Sequence, residues 1–565
     1  MPTIEVERKD FEVLLGLELP EDIEELNDLL AYVKGEIKYL GEEEIHVEVK
    51  DSNRADLWSV EGIARALRGF LNLEKGLKNY SIAGSSEAEI YVDSRLKNIR
   101  PYIGCAILKG IKFTDPMIRG AMRLQDKLDQ TYGRNRRRTS IGLYNFDLIF
   151  PPLRFGVAKP EQVSFVPLGF DEEMTLKEIL ERHPKGIDYG DLVRPHAVWP
   201  LLSDSKNNVL SFPPIINSND LGRITENTRN VLIEVTGTSY ETVMNTLNMI
   251  VVSLADRSGE IFTATIHYYY KGSKDVITPQ LETKKMRIDL ADVEKLLGFK
   301  LTPKEAAELL RKARYGIGKT QKGYIVVKIP CYRIDIMHPV DIVEDIAIAY
   351  GYNKIKPRWQ RLPTTGGVPP QMRFCDLVRE IMVGLGFQEI LTFTMTNPET
   401  LQTKMNKKLE KVVEIANPKM ETFTCLRNWL LPCLMEFLRQ NTHVEYPQKI
   451  FEVGYVVVFD EKAETKTQSI AKLACVTTHP DASFTEIKSC LEALFLNLGL
   501  KQWKIKETTH ASFIPGRTAK VNFKNREIGI IGEIHPQVLN NFELKKPTSA
   551  FEINLERTME GCPPA

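Results

Sequence analysis

Apolar and polar residues alternate with a period of two in several stretches, which predicts strands at residues 43–50, 89–92, 106–111, 141–146, 209–212, 231–236 and 261–269. Apolar spacings of three and four predict helices at 56–71, opened by the carboxylate of Asp56, at 116–132 and at 240–256. Further on, Asp289 is placed to cap a helix over 290–297 that Gly298 ends. Thr302-Pro303-Lys304-Glu305 has the layout of a capping box with proline at the first helical position. Behind it, Ala306, Leu309, Leu310 and Ala313 keep helical spacing. A strand at 324–329 and a helix from Pro339 follow. Ser483-Phe484-Thr485-Glu486 predicts a second capping box, opening a helix with Ile487, Leu491, Leu494, Phe495 and Leu498 on one face and Gly499 at its end.

Turn-forming residues punctuate this pattern. A Gly/Ser stretch at 83–86 reads as a turn, and residues 356–370 hold four prolines and a Gly-Gly pair. These breaks predict an α+β multidomain chain: an N-terminal α+β domain at 1–82, a mixed domain at 88–270, a winged-helix-like domain at 280–356, and a helix-and-strand domain at 371–556 with an antiparallel sheet. At 565 residues the chain is long enough for several such cores.

Composition narrows the function. With 43% hydrophobic and 27% charged residues the chain is of ordinary globular character. Lys plus Arg equals Asp plus Glu at 75 each, so a chain that grips a long nucleic acid unaided is disfavoured, because phosphate neutralisation dominates such binding. No run of about eighteen apolar residues predicts a membrane span, and the N-terminus lacks the basic-then-apolar layout of a signal peptide. Eight scattered cysteines without a C-x-x-C pair argue against a disulfide scaffold or thiolate zinc site, and a reducing cytoplasm is expected.

Three patterns carry candidate chemistry. Glu234 lies in an otherwise apolar stretch, VLIEVTGT, and strand alternation puts it on one face with Thr236 and Thr238. It reads either as a polar acceptor in a pocket or as an edge-strand carboxylate facing water. Asp341, Glu344 and Asp345 stand at i, i+3 and i+4 and so share a helix face, with Asp335 six residues earlier. A cation or the positive end of the helix would offset their repulsion. Arg134, Arg136, Arg137 and Arg138 form a dense basic run, open to phosphate contact or to a simple solvated helix end. His196 reads as a surface or packing histidine.

Four segments in order bring a family into view. RIDIMHPVDIVED (333–345) with IAIAYGYNKI resembles the metal-linked segment of phenylalanyl-tRNA synthetase β subunits. VLSFPPIIN (209–217), GRIT and VLIEVTGT (231–238) are similar to their editing domain. NPKMETFTCLRNWLLPCLM (417–435) and FIPGRTAKV (513–521) resemble their inactive class II-like domain. The resemblance runs to about residue 556 and is of the archaeal/eukaryotic kind, since the chain is too short for the extra tRNA-binding and anticodon-binding domains of bacterial members. It implies an α2β2 phenylalanine–tRNA ligase in which the α subunit handles ATP and phenylalanine, tRNA(Phe) is the common substrate, and this chain hydrolyses mischarged Tyr-tRNA(Phe). It implies Leu202, Ser211, Asn217, Glu234 and Thr236 as the editing pocket, and Asp335, Asp341, Glu344 and Asp345 as ligands of a Mg²⁺ ion shared with the α subunit; oxygen-only donors suit such a hard cation.

Physical reasoning supports the division of labour. An apolar pocket built for phenylalanine rejects an added hydroxyl by only about 10²-fold, whereas a site that bonds that hydroxyl rejects the analogue lacking it by about 10⁴–10⁵. No Ser-His-Asp or Cys-His arrangement stands among the candidate residues, so a positioned water, helped by the RNA's own hydroxyls, is expected. In CLRNWLLP, Arg427 is followed by Asn428 and Trp429 without the acidic residue that an ATP-gripping motif needs, and IGIIGEIHP lacks the arginine of a later one. A free-standing class II enzyme is thereby opposed. The remaining alternative is a non-enzymatic nucleic-acid-binding scaffold, which zero net charge opposes.

Overall fold

The computed structural model describes residues 2–51, 53–270, 274–360 and 364–560. Two compact units divide the chain, Met1–Arg358 and Trp359–Ala565. Part of the proline-rich stretch expected between domains, 361–363, and Cys562 lie outside the described residues.

In the first unit, three antiparallel strands in the order Thr3–Glu7, Glu44–Val49, Gly35–Leu40 form an N-terminal sheet. Its buried face, with Ile4, Val6, Ile45 and Val47, joins the helix Val60–Phe70 and the helix Tyr240–Ala255 in one continuous apolar core. The N-terminal and mixed regions therefore share a core. Asp256, at the C-terminal end of the second helix, fastens that junction by accepting from Arg65, from Lys78 at 2.7 Å and from Tyr80 at 2.8 Å.

The main sheet has ten strands. Along its path they run Ile216–Asn217, Val209–Phe212, Trp199–Ser203, Leu153–Ala158, Ile82–Val92, Glu260–Tyr268, Tyr102–Lys109, Val231–Gly237 and Thr139–Asn145, with Val276–Thr278 paired off the path to Glu260–Tyr268. Val231–Gly237 is buried at all seven positions because it is paired on both edges and covered on both faces. The predicted turn at 83–86 is a correction: these residues belong to strand Ile82–Val92, where Gly84 and Ser85 pair with Phe262 and Thr263. Ser86 Oγ there donates to the Thr263 carbonyl at 2.7 Å and accepts from the Ala88 N–H at 3.1 Å, where the ladder shifts register. The first predicted helix starts later, capped by Ser59, whose hydroxyl accepts from Gly62. Asp56 sits instead in the preceding turn of 3-10 helix, buried against Arg54.

A three-stranded antiparallel sheet, Lys284–Asp289, Tyr324–Ile329, Gly316–Thr320, packs with helices Leu290–Leu297, Pro303–Lys312 and Pro339–Tyr350. The Thr302–Glu305 capping box forms in full, and Gly298 closes its helix at φ 77°. Asp289 makes no side-chain capping bond and pairs with Arg287 instead.

The second unit is a seven-stranded sheet with helices on both faces. Helices Pro370–Gly384 and Phe484–Asn497 cover one side through Phe374, Val378, Leu491 and Phe495. Helix Leu431–Gln440 covers the other through Leu431, Leu434, Met435 and Leu438. Ser483 caps its helix as expected, but Glu486 turns to Lys449 and His479, so the reciprocal half of the box does not form.

Candidate functional site

Thr139–Asn145 is the edge strand of the ten-stranded sheet, and a cavity of about 550 Å³ wraps around it. Ile141 and Leu143 line it from one face of that strand, Ser140 and its neighbour Glu234 from the other. Ile118 and Met122 of helix Asp115–Gln130 close one side, and residues 211–217 close the opposite side. The lining is largely apolar. Among the described residues it holds neither histidine nor cysteine.

Glu234 is 2% exposed, in the strand flanked by Tyr102–Lys109 and Thr139–Asn145. The solvent-facing alternative is thereby removed, since strands on both sides leave no edge. Burial pushes its carboxyl up to about 7, against the pull of a hydrogen bond from Tyr144 and the charge of Arg100. Tyr144 donates to Oε2 at 2.9 Å, while Oε1 is buried with no hydrogen-bond partner. Gly142 faces Glu234 across the strands. A Cβ there would stand 2.2 Å from the Tyr144 hydroxyl and 2.6 Å from Glu234 Oε2, so only glycine leaves room for that contact.

The other expected pocket residues separate into two groups. Ser211, with its buried Oγ unpartnered, and Asn217 line the cavity with Glu234. Leu202 and Thr236 stand behind the wall, which corrects their placement. Leu202 is fully buried in the core beneath the sheet and pairs across the ladder with Ser211. Thr236 is fully buried, and its hydroxyl accepts from Arg100 at 2.9 Å and lies 3.2 Å from Ser140 Oγ.

Arg100 also donates to the carbonyls of Thr236 and Arg136 and to Ser140 Oγ, so one buried guanidinium ties three segments together. Burial lowers it to about 10. Arg136, from the basic run, is 7% exposed. It donates to the carbonyls of Pro214 and Ile215, at 3.1 and 2.8 Å, and lies 3.2 Å from Asp129. It is thus a wall-bearing residue, and only Arg134, Arg137 and Arg138 are exposed for other contacts. Arg134, Asn135 and Arg136 all carry positive φ, between 52° and 61°, a backbone that persists only where its surroundings hold it. Tyr144, Arg100 and Asp129 escaped the sequence reading because only the tertiary fold brings them to Glu234: Tyr144 by strand register, Arg100 from the segment before strand Tyr102–Lys109, and Asp129 from helix Asp115–Gln130. His196 is half-buried and exposes its carbonyl to Trp199 Nε1.

The acidic segment does not gather. Asp341 turns back over the helix start and accepts from the backbone N–H groups of Met337 and His338, both at 2.8 Å. Glu344 faces out to Lys34 at 2.7 Å. Asp345 is buried on Arg333 and Tyr315, and Asp335 pairs with the same Arg333 at 2.7 Å. The three helix residues therefore do not share a face in use. Among the described residues no three His, Cys, Asp or Glu side chains come together as metal ligands. The donor set of this chain by itself does not fit a Mg²⁺ ion, because arginine, lysine and the helix N-terminus already balance each carboxylate.

In the second unit, Arg427 is 2% exposed and pairs with the fully buried Glu452 at 2.8 Å, also donating to Thr392 and the Tyr455 carbonyl. Glu552 accepts from Lys472 at 2.7 Å and from the N–H groups of Leu430 and Leu431 at the start of the covering helix.

A sequence profile described as the phenylalanyl tRNA synthetase beta chain CLM domain matches residues 355–555, and one described as the tRNA synthetase B5 domain matches 286–352. The phenylalanine–tRNA ligase beta subunit of Pyrococcus furiosus is 45% identical over 560 residues, covering 98% of this chain and 99% of the relative. That of Methanocaldococcus jannaschii is 40% identical over 559 residues, covering 98% and 100%. A crystal structure of an N-terminal fragment of the phenylalanyl-tRNA synthetase beta-subunit from Pyrococcus horikoshii superposes with a TM-score of 0.59 at 42% identity, covering 62% of this chain and all of that one.

Proposed function

The chain belongs to the family of phenylalanine–tRNA ligase β subunits, and on that footing we propose that its cavity hydrolyses tyrosine mistakenly attached to tRNA(Phe). An α subunit and tRNA follow from the family; the α2β2 assembly, the binding of ATP and phenylalanine by α, and a cytoplasmic location are parts of this reading. No described helix is long and apolar enough to cross a membrane. Residues 88–270 are read as the editing domain, 280–356 as a winged-helix-like domain and 371–556 as an inactive class II-like domain.

The observation that carries the proposal is the bare Oε1 of Glu234 at the wall of a mostly apolar cavity. A tyrosyl ring hydroxyl can donate to it and so satisfy a buried acceptor. A phenylalanyl ring leaves it desolvated and unpaired, which a buried acceptor penalises. With no histidine or cysteine in the described lining, the aminoacyl ester is attacked by water. A neighbouring ribose hydroxyl of the tRNA end helps to position that water.

The second unit supports the division of labour. Its covered sheet face holds Arg427–Glu452 and Lys472–Glu552 pairs beneath helix Leu431–Gln440, so Arg427 is not free to clamp a triphosphate. Leu391, Phe393 and Met395 alternate along an extended segment and are 88%, 71% and 43% exposed, an apolar row suited to the α chain.

The test is a reconstituted complex with Glu234→Ala. Deacylation of Tyr-tRNA(Phe) should slow by two or more orders of magnitude, on the order of the discrimination such a site supplies, while phenylalanylation is unchanged. Normal clearance of Tyr-tRNA(Phe) by the variant would remove the cavity from the reaction.

A further inference from the structure

We propose that Tyr144 is the positioning residue for recognition of the ligand's ring hydroxyl, holding Glu234 and Asn217 so that a single carboxylate oxygen is presented to the cavity. The inference rests on the reading of the cavity given above.

Tyr144 is fully buried and is not part of the lining; it stands behind two residues that are. Its hydroxyl lies 2.9 Å from Glu234 Oε2 and 3.2 Å from Asn217 Oδ1. A phenol has one proton to give, and the carboxylate is the stronger acceptor. The Asn217 amide, turned with its NH₂ towards the ring oxygen, then donates to it, since the two amide ends are interchangeable by rotation. The result is a chain from Asn217 through Tyr144 to Glu234. Phenylalanine would fill the same core volume, so the hydroxyl at position 144 serves only this contact. Gly142 supports the same view: the space where a side chain would stand is the space in which phenol and carboxylate meet.

Two consequences follow for the acceptor. With Oε2 held, the carboxylate cannot rotate to offer either oxygen, and Oε1 alone is bare. The donor on one oxygen offsets part of the penalty that burial places on the ionised form, the carboxyl still standing at about 7. The groups that face Glu234 from the surrounding elements are Tyr144 on one neighbouring strand, Cys105 on the other, and Arg100, with Arg136 and Asp129 beyond it. Tyr144 donates to the carboxylate at 2.9 Å and can be altered without removing a charge.

The experiment uses the full αβ complex with Tyr144→Phe, and separately with 3,5-difluorotyrosine at position 144, scoring hydrolysis of Tyr-tRNA(Phe) and of Phe-tRNA(Phe) across pH. For Tyr144→Phe the Tyr/Phe selectivity ratio should fall roughly ten-fold, as for loss of one bond to a charged group. The acidic limb of the tyrosyl profile should move to higher pH, because Glu234 loses its donor. The fluorinated ring, a stronger donor of almost the same size, should move that limb to lower pH. The selectivity ratio does not depend on how much of a variant folds, so partial unfolding cannot imitate the result. An unchanged ratio and unmoved limbs in both variants, with Glu234→Ala still slow, would overturn the positioning role and leave the editing reading intact. If Glu234→Ala also hydrolyses Tyr-tRNA(Phe) normally, the editing reading itself falls.

Discussion

Replacing Glu234 with glutamine should remove a pH-dependent cost to the fold and weaken the reaction at once. In the folded chain the Glu234 carboxyl is raised from an ordinary 4.5 to about 7, chiefly by burial. At about 1.4 kcal/mol per tenfold change in proton affinity, that rise corresponds to about 3 kcal/mol of disfavoured ionisation. The sign follows from proton counting. Between about pH 4.5 and pH 7 the folded state keeps a proton that the unfolded chain has released, so stability falls across this window as pH rises and levels off above it. Glutamine does not titrate. It keeps an oxygen to accept from Tyr144 but presents an NH₂ where the bare Oε1 stood. Its intrinsic effect on stability is therefore a constant offset, and only the pH-dependent part is diagnostic. Asp129 is also raised by burial to about 7, but it is present in both proteins and cancels in the difference. Hydrogen exchange at the amides of strand Val231–Gly237, compared between wild type and variant at matched pH in the full chain, reads the local opening free energy. The advantage of Glu234→Gln should grow by as much as about 3 kcal/mol, roughly a hundred-fold in protection, from about pH 5 to about pH 8. Tyr-tRNA(Phe) hydrolysis should fall over the same range. A difference that stays flat with pH, or grows towards acid, would refute the claim that this carboxylate is ionised at the expense of the fold.

Four further outcomes follow from side-chain placement. Asp341→Ala removes a carboxylate that accepts two backbone N–H groups at a helix start, and should destabilise the Pro339–Tyr350 helix by about 1 kcal/mol, equally with and without Mg²⁺. Denaturation of the full chain in EDTA and in Mg²⁺ checks this; a loss seen only with Mg²⁺ would reinstate a cation at the segment. Arg427→Ala strands Glu452 in the second unit and should lower that unit's stability by about 3–5 kcal/mol, seen as early exchange of the strand Gln448–Phe459. Arg136→Gln should unfasten the wall at Pro214 and Ile215 and impair Tyr-tRNA(Phe) hydrolysis. Joint neutralisation of Arg134, Arg137 and Arg138, all exposed, should leave stability within about 0.5 kcal/mol and reduce the salt slope of tRNA binding. Hydrolysis assays with a salt titration separate the two.

The sequence made strands and helices legible where one physical rule acted alone. The strand carrying Glu234 and the helix after Ser239 could be read because alternation and periodicity are local, and the Thr302–Glu305 box because its two bonds span three residues. It misled where a local signal had a long-range use. Gly84 and Ser85 read as a turn, yet they pair with a strand almost 180 positions away. Asp341, Glu344 and Asp345 read as one acidic face, yet partners at positions 34, 315 and 333 and the helix's own N-terminus draw them apart. The cavity beside Glu234 shows the same limit more sharply. Glu234 could be nominated from its apolar surroundings, but the features that make it an acceptor are set by register: Gly142 opposite it, Tyr144 two residues further, and Arg100 reaching in from another segment. None of these has a local signature. A carboxylate in an apolar strand becomes a recognition element only when neighbouring strands hold one of its oxygens and leave the other bare. Residues that do the holding are therefore where selectivity will be lost first if they change, even though none of them touches the ligand.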